Sequence, residues 1–431
     1  MEVVPVVIDN AQVVIIGSGA FGSSVAYHLA ALGHRDVALV DAHEIASQTS
    51  PRAAGLARQV RFDPDMSRLA IRSVEKIIRF TAETGQPLTY VQSGSVNMAR
   101  TESTEPIVHA EIAAGRELGL GTRRLSIDEM AARAPLIRPQ GIRLAAYTPT
   151  DVYLEQPGQL PLGYARAAEQ HGVTLLPHTR ITGIGIEGGR VTKVVAEGGE
   201  IRTPVVVDAA GAWARLVAER IGLRVPIVPV RHQLYITGRI PGVEAGHAIC
   251  RLYDAAVYLR PHDGGLLLGV FERDPELYDM HGFAPDFQIN DLSLDFGVLD
   301  RMTQSIRSQL AVDVDVPLRE HRGGLPTMTP DGRPILGPVP GVEGFYVATG
   351  CCVGGLSISP AVGELVAESV HAARPSPSLD AFAITRFARG FDQEEALRDA
   401  CRRQYADFYA MIPEGEHRER SLRGELQTGS G

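Results

Sequence analysis

Short apolar runs punctuated by glycine open the chain. Ala11 to Gly17 has the pattern of a buried parallel strand that ends on glycine. Phe21 to Leu32 has the length and spacing of a helix, with Gly33 placed as its C-cap. Val37 to Val40 reads as a second buried strand and runs into Asp41. Together these predict a β-α-β beginning. Farther along, Leu69, Ile71, Val74, Ile77, Ile78 and Phe80 recur at helical spacing and predict a helix over 67–84. A helix over 156–171 should precede a strand over 173–176. Arg180 to Ile186 and Val191 to Ala196 predict a hairpin across Glu187-Gly188-Gly189-Arg190. A strand over 204–210 and a helix over 211–221 follow.

From Val225 the pattern turns strand-rich, with strands expected over 228–237, 256–260 and 266–270. A helix over 289–310 comes next. The chain then regains alternation, with a strand over 345–349 and a helix over 360–371. The layout predicts an α/β, two-lobed fold: a discontinuous Rossmann-type nucleotide-binding domain and a strand-rich α+β domain. The first would take residues 1–85, 151–224 and 319–385, and the second 86–150 and 225–318. A C-terminal helix over 386–412 and a disordered tail over 413–431 complete the expectation.

Composition narrows the function classes. A chain of 431 residues exceeds one ordinary core, which favours two lobes. The net charge of −9 argues against a nucleic-acid surface. Four cysteines without a CxxC pair point to a reducing compartment, with Cys351 and Cys352 read as buried thiols. The first residues carry no basic leader, and no apolar run reaches the ~18 residues of a membrane span. A cytoplasmic protein without membrane partners is expected. The sequence offers no metal-ligand constellation and no GxSxG elbow.

Gly17-Ser18-Gly19-Ala20-Phe21-Gly22 supplies the chemistry. It follows a strand and opens a helix, the context a dinucleotide fingerprint needs. Gly17 permits the tight turn, Gly19 lets backbone approach a pyrophosphate, and Gly22 allows close packing of helix on strand. The helix N-terminus offers N–H groups and a positive dipole end. Asp41 lies where an acid reaches ribose hydroxyls. An acid there disfavours a 2′-phosphate, and so NADP, but leaves NAD and FAD open.

Later segments decide between those two. They are Ser50-Pro51-Arg52-Ala53-Ala54-Gly55-Leu56, Val206-Val207-Asp208-Ala209-Ala210-Gly211-Ala212-Trp213, Thr329-Pro330-Asp331-Gly332-Arg333-Pro334, Phe345 to Gly350 and Gly354-Gly355-Leu356-Ser357. With the fingerprint, this ordered set resembles the D-amino-acid-oxidase-like flavoproteins, nearest to the sarcosine and dimethylglycine oxidases and dehydrogenases. The resemblance runs from Val13 to about Val370 and stops short of a folate-binding domain.

The resemblance implies FAD. Its ADP half would rest on the first β-α-β unit, with Ala20, Phe21 and Ala42 beside the fingerprint. Ser50, Ala53, Ala54, Gly55, Leu56, Ala210, Gly211 and Trp213 would flank the pyrophosphate and flavin. Ile181 would meet the adenine. Gly324, Gly350, Val353, Gly354, Gly355, Leu356 and Ser357 would approach the flavin ring. It further implies oxidation of a C–N bond of an amino acid or N-methyl amine. Hydride passes to the flavin N5 and leaves an imine that hydrolyses. O2 or an electron carrier would be the acceptor. Oxidation of primary amines of the D-amino-acid or glycine type is the alternative, as is a flavin subunit of a larger amine dehydrogenase.

Three departures from the family pattern bear on this. Arg52 stands where some relatives attach FAD through His, and Gly324 where others use Cys, so FAD should be non-covalent. Leu267 stands where monomeric sarcosine oxidases carry a Lys for O2 reduction. On the substrate side, Arg58 resembles the carboxylate-binding Arg, with Arg61 able to share the task. Ser357 replaces a second cation of the family. Tyr258 would shape or bind at the pocket floor, His232 enters the same lobe, and Arg322 with His321 precedes the Gly323-Gly324 pair. Arg260 should point away if its strand alternates.

Overall fold

The computed structural model describes residues 8–374, 376–387, 391 and 393–409. The tail expected over 413–431 lies outside them.

A six-stranded sheet is assembled from distant segments. Its order is Ile335–Pro338, Phe345–Thr349, Val206–Asp208, Val13–Ile16, Val37–Val40 and Thr174–Leu176. All neighbours are parallel except the Ile335–Pro338 edge, which pairs antiparallel. Side-chain alternation explains why the first strand is apolar throughout. Val13 and Ile15 join a core with helices Ala20–Ala31, Pro64–Thr84, Gln159–Gln170 and Gly355–His371. Val14 and Ile16 pack on the other side, with the meander Ile181–Glu187, Arg190–Ala196, Gly199–Arg202 and helix Ala214–Glu219. Both faces are covered, so both parities must be apolar.

A second sheet has eight strands in the order Leu318–Gly324, His232–Thr237, Gly265–Val270, Val257–His262, Ile249–Leu252, Ser95–Ala99, Leu144–Thr148 and Arg123–Arg124. Helix Phe296–Arg307 covers one of its faces through Leu299 and Ile306. Strand Leu318–Gly324, which spans the expected boundary at 318/319, hydrogen-bonds to His232–Thr237.

Helix ends show where local chemistry overrides spacing. The helix expected from residue 67 begins at Pro64, because Asp63 Oδ1 accepts the Asp65 and Met66 N–H groups at 2.8 and 3.1 Å. The helix expected over 289–310 breaks into a short turn, Ile289–Asp291, and a helix from Phe296 capped by Asp295. The helix expected from Pro360 starts five residues earlier, at Gly355. Pro360 has no N–H for the Leu356 carbonyl, and Ser359 Oγ donates to that oxygen at 3.2 Å.

Helices Pro64–Thr84 and Gly355–His371 are joined by charge. Glu364 accepts from Arg72 at 2.8 and 2.9 Å and lies 2.9 Å from Lys76 Nζ. Burial opposes ionisation of Glu364, but the hydrogen bonds from Arg72 and Lys76 prevail and hold its pKa at about 2. The folded-state pKa lies below the ordinary carboxylate value, so this stabilisation is complete above that value and lost as pH falls toward 2. Glu364→Gln should therefore cost about 2 kcal/mol at neutral pH, the linkage value discounted for solvent access. Its cost should fade between pH 5 and 2, as urea titrations across that range would show.

Candidate active site

The order of the six-stranded sheet reverses between Val13–Ile16 and Val206–Asp208, and ligands in such sheets bind outside the strand ends at that point. A cavity of about 330 Å3 opens there and extends to the second sheet.

The glycine loop forms one wall. Gly17 has φ +99°, and a Cβ there would meet the Ala209 carbonyl oxygen at 2.5 Å. Gly22 lies behind the wall, where a Cβ would sit 1.8 Å from Gly17 O. Gly19 faces open space apart from Ser50 Oγ at 3.5 Å. Asp41 serves the loop as well as the cavity. Its Oδ2 accepts the Ser18 N–H at 2.8 Å and the Ser18 hydroxyl at 2.6 Å, and its Oδ1 accepts the His43 N–H at 2.9 Å. Burial pushes the Asp41 pKa up, against these hydrogen bonds. Asp41→Asn should remove the acceptor for one Ser18 donor and loosen the loop. Equilibrium dialysis should show FAD affinity falling about tenfold or more.

Two helix N-termini face this cavity, those of Ala20–Ala31 and Gly355–His371. Neither N-cap, Gly19 or Gly354, supplies a side-chain cap, and neither first turn carries an acid. Their N–H groups and dipoles suit an anionic ligand. The loop before the second helix is strained: Cys352 and Val353 have φ of 44° and 61° without being glycine. Such backbone costs about 1–3 kcal/mol per residue and concentrates at ligand clamps.

The cavity lining includes Gly17, Gly19, Ala20, Phe21, Asp41, Ala42, Ser50, Ala53, Ala54, Gly55, Leu56, Ile181, Ala210, Gly211, Trp213, Gly324, Gly350, Val353, Gly354, Gly355, Leu356 and Ser357. These are the expected cofactor residues, apart from Gly22. Ser50 Oγ also accepts the Ala20 N–H at 3.0 Å.

At the far end lie Arg58, Arg61, Arg251, His232 and Tyr258, with Phe271, Phe408 and Tyr409 as apolar walls. Arg58 and Arg61 follow the strand Leu56–Ala57, which pairs with Val152–Leu154. Arg58 is matched in charge, although its Nε and Nη2 make no hydrogen bond among the described residues. Its guanidinium lies 3.3 Å from the fully buried Glu111, which also accepts from Asn97 and, at 2.6 Å, from Tyr253. Burial opposes its charge, but Tyr253 and Glu111 hold its pKa above the ordinary arginine value. Arg61 differs. It donates to Ser357 Oγ at 3.0 Å, its Nε has no partner among the described residues, and burial plus Arg58 and Arg251 pull its pKa down to about 10.

Arg251 donates to Asn97 at 3.1 Å. Asp151 supplies the second buried carboxylate, accepting from Gln59 N–H at 2.9 Å and from Ser95. Three guanidinium groups against Glu111 and Asp151 leave one positive charge over among the described residues. Ser357, in place of a second cation, steadies Arg61 instead.

Arg322 and His321 do not line the cavity. Arg322 pairs with Glu320, and His321 Nε2 lies 3.1 Å from Gln233 Oε1. Arg260 also lies outside. It holds the loop at Ala54 by donating to that carbonyl at 2.8 Å and to Glu155 at 3.1 Å. Cys351, expected as a buried thiol, is half-buried and lines the cavity, while Cys352 is buried. Burial raises both thiol pKa values. Arg251 escaped sequence reading, although a charged residue inside the otherwise apolar strand Ile249–Leu252 is a usable signal.

The donor set fits a flavin dinucleotide: a glycine cradle that Cβ atoms would fill, two helix N-termini whose N-cap residues supply no side-chain cap, and an acid at the end of the second strand. No helix among the described residues is long and apolar enough to cross a membrane, and no group of acids, histidines and cysteines there would hold a metal ion.

Comparison with known proteins agrees with this geometry. The chain is similar to mouse (Mus musculus) mitochondrial sarcosine dehydrogenase, 27% identical over 411 residues, covering 94% of the chain and 44% of that protein. It is 30% identical to rat (Rattus norvegicus) mitochondrial dimethylglycine dehydrogenase over 358 residues, covering 79% of the chain and 41% of that protein. It thus spans less than half the length of these relatives. The crystal structure of L-proline dehydrogenase from P. horikoshii superposes with a TM-score of 0.79 at 25% identity, covering 89% of this chain and 99% of that one. The family model for FAD dependent oxidoreductases, DAO, matches residues 12–369, and the chain belongs to that family.

Proposed function

We propose that the chain oxidises the C–N bond of a secondary or N-methyl amino acid to an imine, which water hydrolyses. The observation that carries this is Arg61: a guanidinium at the cavity wall, without a carboxylate of its own, in a site with one positive charge in excess. A substrate carboxylate supplies the missing partner.

The amine must be neutral to give up hydride. Among the described residues Asp41 is the sole acid lining the cavity, and it lies at the nucleotide end. No acid lines the arginine end among the described residues, and the neighbouring guanidinium charges disfavour an ammonium there. FAD, when bound, supplies the two-electron acceptor. Phe271, Phe408 and Tyr409 line this end and would shield a bound substrate from water. The names of the relatives, sarcosine, dimethylglycine and L-proline dehydrogenases, suit an N-alkylated amino acid.

We read FAD as bound without a covalent link. Gly324 offers no thiol, and a Cβ there would lie 2.9 Å from the Thr49 side chain. Arg52 is committed to the Ser47 and Gln48 carbonyls and to Asn290. Leu267 is fully buried in an apolar cluster and puts no cation at the ring. The reduced protein should reoxidise more slowly in air than with an artificial electron acceptor.

Anaerobic mixing of the yellow protein with sarcosine, dimethylglycine, L-proline, glycine, D-alanine, dimethylamine and pyrrolidine tests the substrate class. N-alkyl amino acids should bleach it and the carboxylate-free amines should not. Bleaching by the free amines alone contradicts the reading.

A further inference from the structure

We propose that Tyr405, on the C-terminal helix Glu394–Ala406, fixes Tyr258 as a hydrogen-bond donor to the substrate carboxylate by setting the tautomer of His232 between them. This rests on the function proposed above. Tyr405 lies beyond the span matched by the family model, which ends at residue 369.

The three groups form a chain. His232 Nδ1 lies 2.7 Å from Tyr405 Oη, and His232 Nε2 lies 2.9 Å from Tyr258 Oη. Tyr258 and His232 line the cavity; Tyr405 is fully buried behind them. Burial pulls the His232 pKa down to about 4, so near neutral pH the imidazole has one N–H and one acceptor nitrogen.

Two arrangements are available. If Nδ1 carries the proton, it donates to Tyr405, and the Tyr405 O–H is left with no acceptor among the described residues. An orphaned buried hydroxyl costs about 1–3 kcal/mol. If Nε2 carries the proton, Tyr405 donates to Nδ1, Nε2–H donates to Tyr258 Oη, and the one proton left over, that of Tyr258, belongs to a residue that lines the cavity and not to one enclosed behind it. The second arrangement wins.

In it the Tyr258 hydroxyl has received its one internal hydrogen bond and turns its own proton to the cavity. Arg251 is the residue directly opposite Tyr258 in the sheet, and Arg61 lines the same end. A fixed O–H donor beside guanidinium groups matches a carboxylate oxygen. His232 is then a spacer of fixed polarity, and Tyr405 is a positioning residue three hydrogen bonds from the ligand.

Acetate is the probe, titrated into the FAD-loaded protein and read from the change in flavin absorbance. Tyr258→Phe should weaken acetate about tenfold, one hydrogen bond to a charged group. Tyr405→Phe should weaken it by a similar factor with FAD content unchanged, because the freed imidazole then accepts from Tyr258. The double variant should be no weaker than Tyr258→Phe alone. With a bleaching substrate, the same variants should raise KM more than they lower kcat. Should Tyr405→Phe fail to fold, nitrogen NMR of His232 in the wild type reads the tautomer directly: a protonated Nε2 is expected, and a protonated Nδ1 overturns the relay.

Wild-type affinity in Tyr405→Phe, or multiplied losses in the double variant, overturns the relay alone. A wild-type protein whose flavin does not respond to acetate overturns the carboxylate reading and the relay with it.

Discussion

On the proposed function, Arg61→Met should raise KM for an N-alkyl amino acid about a hundredfold and leave FAD content and folding stability near wild type. Arg61 meets the cavity with no carboxylate of its own, so its removal strips the substrate of its counter-charge. Losing one partner of a desolvated charge pair costs about 2–5 kcal/mol. The fold gains little from Arg61, whose Nε lacks a partner and whose pKa is depressed by its arginine neighbours. Arg58→Met behaves in the opposite way. It leaves Glu111 buried beside Asn97 and Tyr253 without its cation, which costs about 3–5 kcal/mol of stability. Thermal melting and steady-state kinetics on the two variants separate these outcomes. A KM change confined to Arg58→Met would reverse the assignment.

Gly22→Ala should abolish FAD uptake and lower the melting midpoint sharply, whereas Gly19→Ala should keep the fold and weaken FAD alone. The difference is steric. A Cβ at Gly22 meets Gly17 O at 1.8 Å and Gly17 C at 3.0 Å, backbone atoms that move only if helix and strand separate. A Cβ at Gly19 meets only a serine hydroxyl at 3.5 Å and projects into space a diphosphate would need. Cofactor content after purification and thermal melts check both. Equal damage from the two substitutions would show that the loop is simply intolerant of side chains.

The first thirty residues of the sheet were legible because their constraints are local. Strand, glycine turn, helix and terminal acid lie within Val13–Asp41, and each residue type answers a neighbour. What Asp41 does was only half legible. Its hold on Ser18 spans 23 positions and leaves no periodic trace. Arg58 was read as the substrate anchor because its motif carries it. Glu111, which matches its charge, lies on helix Glu105–Glu117 and looks in sequence like one more solvated helix acid. The excess cation therefore moves to Arg61, a residue the motif placed second.

The same limit hid Arg251 and Tyr405. Each reaches the cavity region from an element with no local signature of a site, and only the closed fold brings them to His232 and Tyr258. Arg322 erred the other way. It stands two residues before the cavity-lining Gly324, but strand pairing with His232–Thr237 and its contact with Glu320 place it outside.

One quantity bears on all of this most directly: the flavin bound per chain in freshly isolated protein, and its release on denaturation. A yellow protein that gives up about one FAD per chain into the supernatant when unfolded, and takes it back on refolding, is the predicted result. A colourless protein that binds no added FAD would contradict the cradle, and a flavin that stays with the precipitated chain would contradict the non-covalent seat.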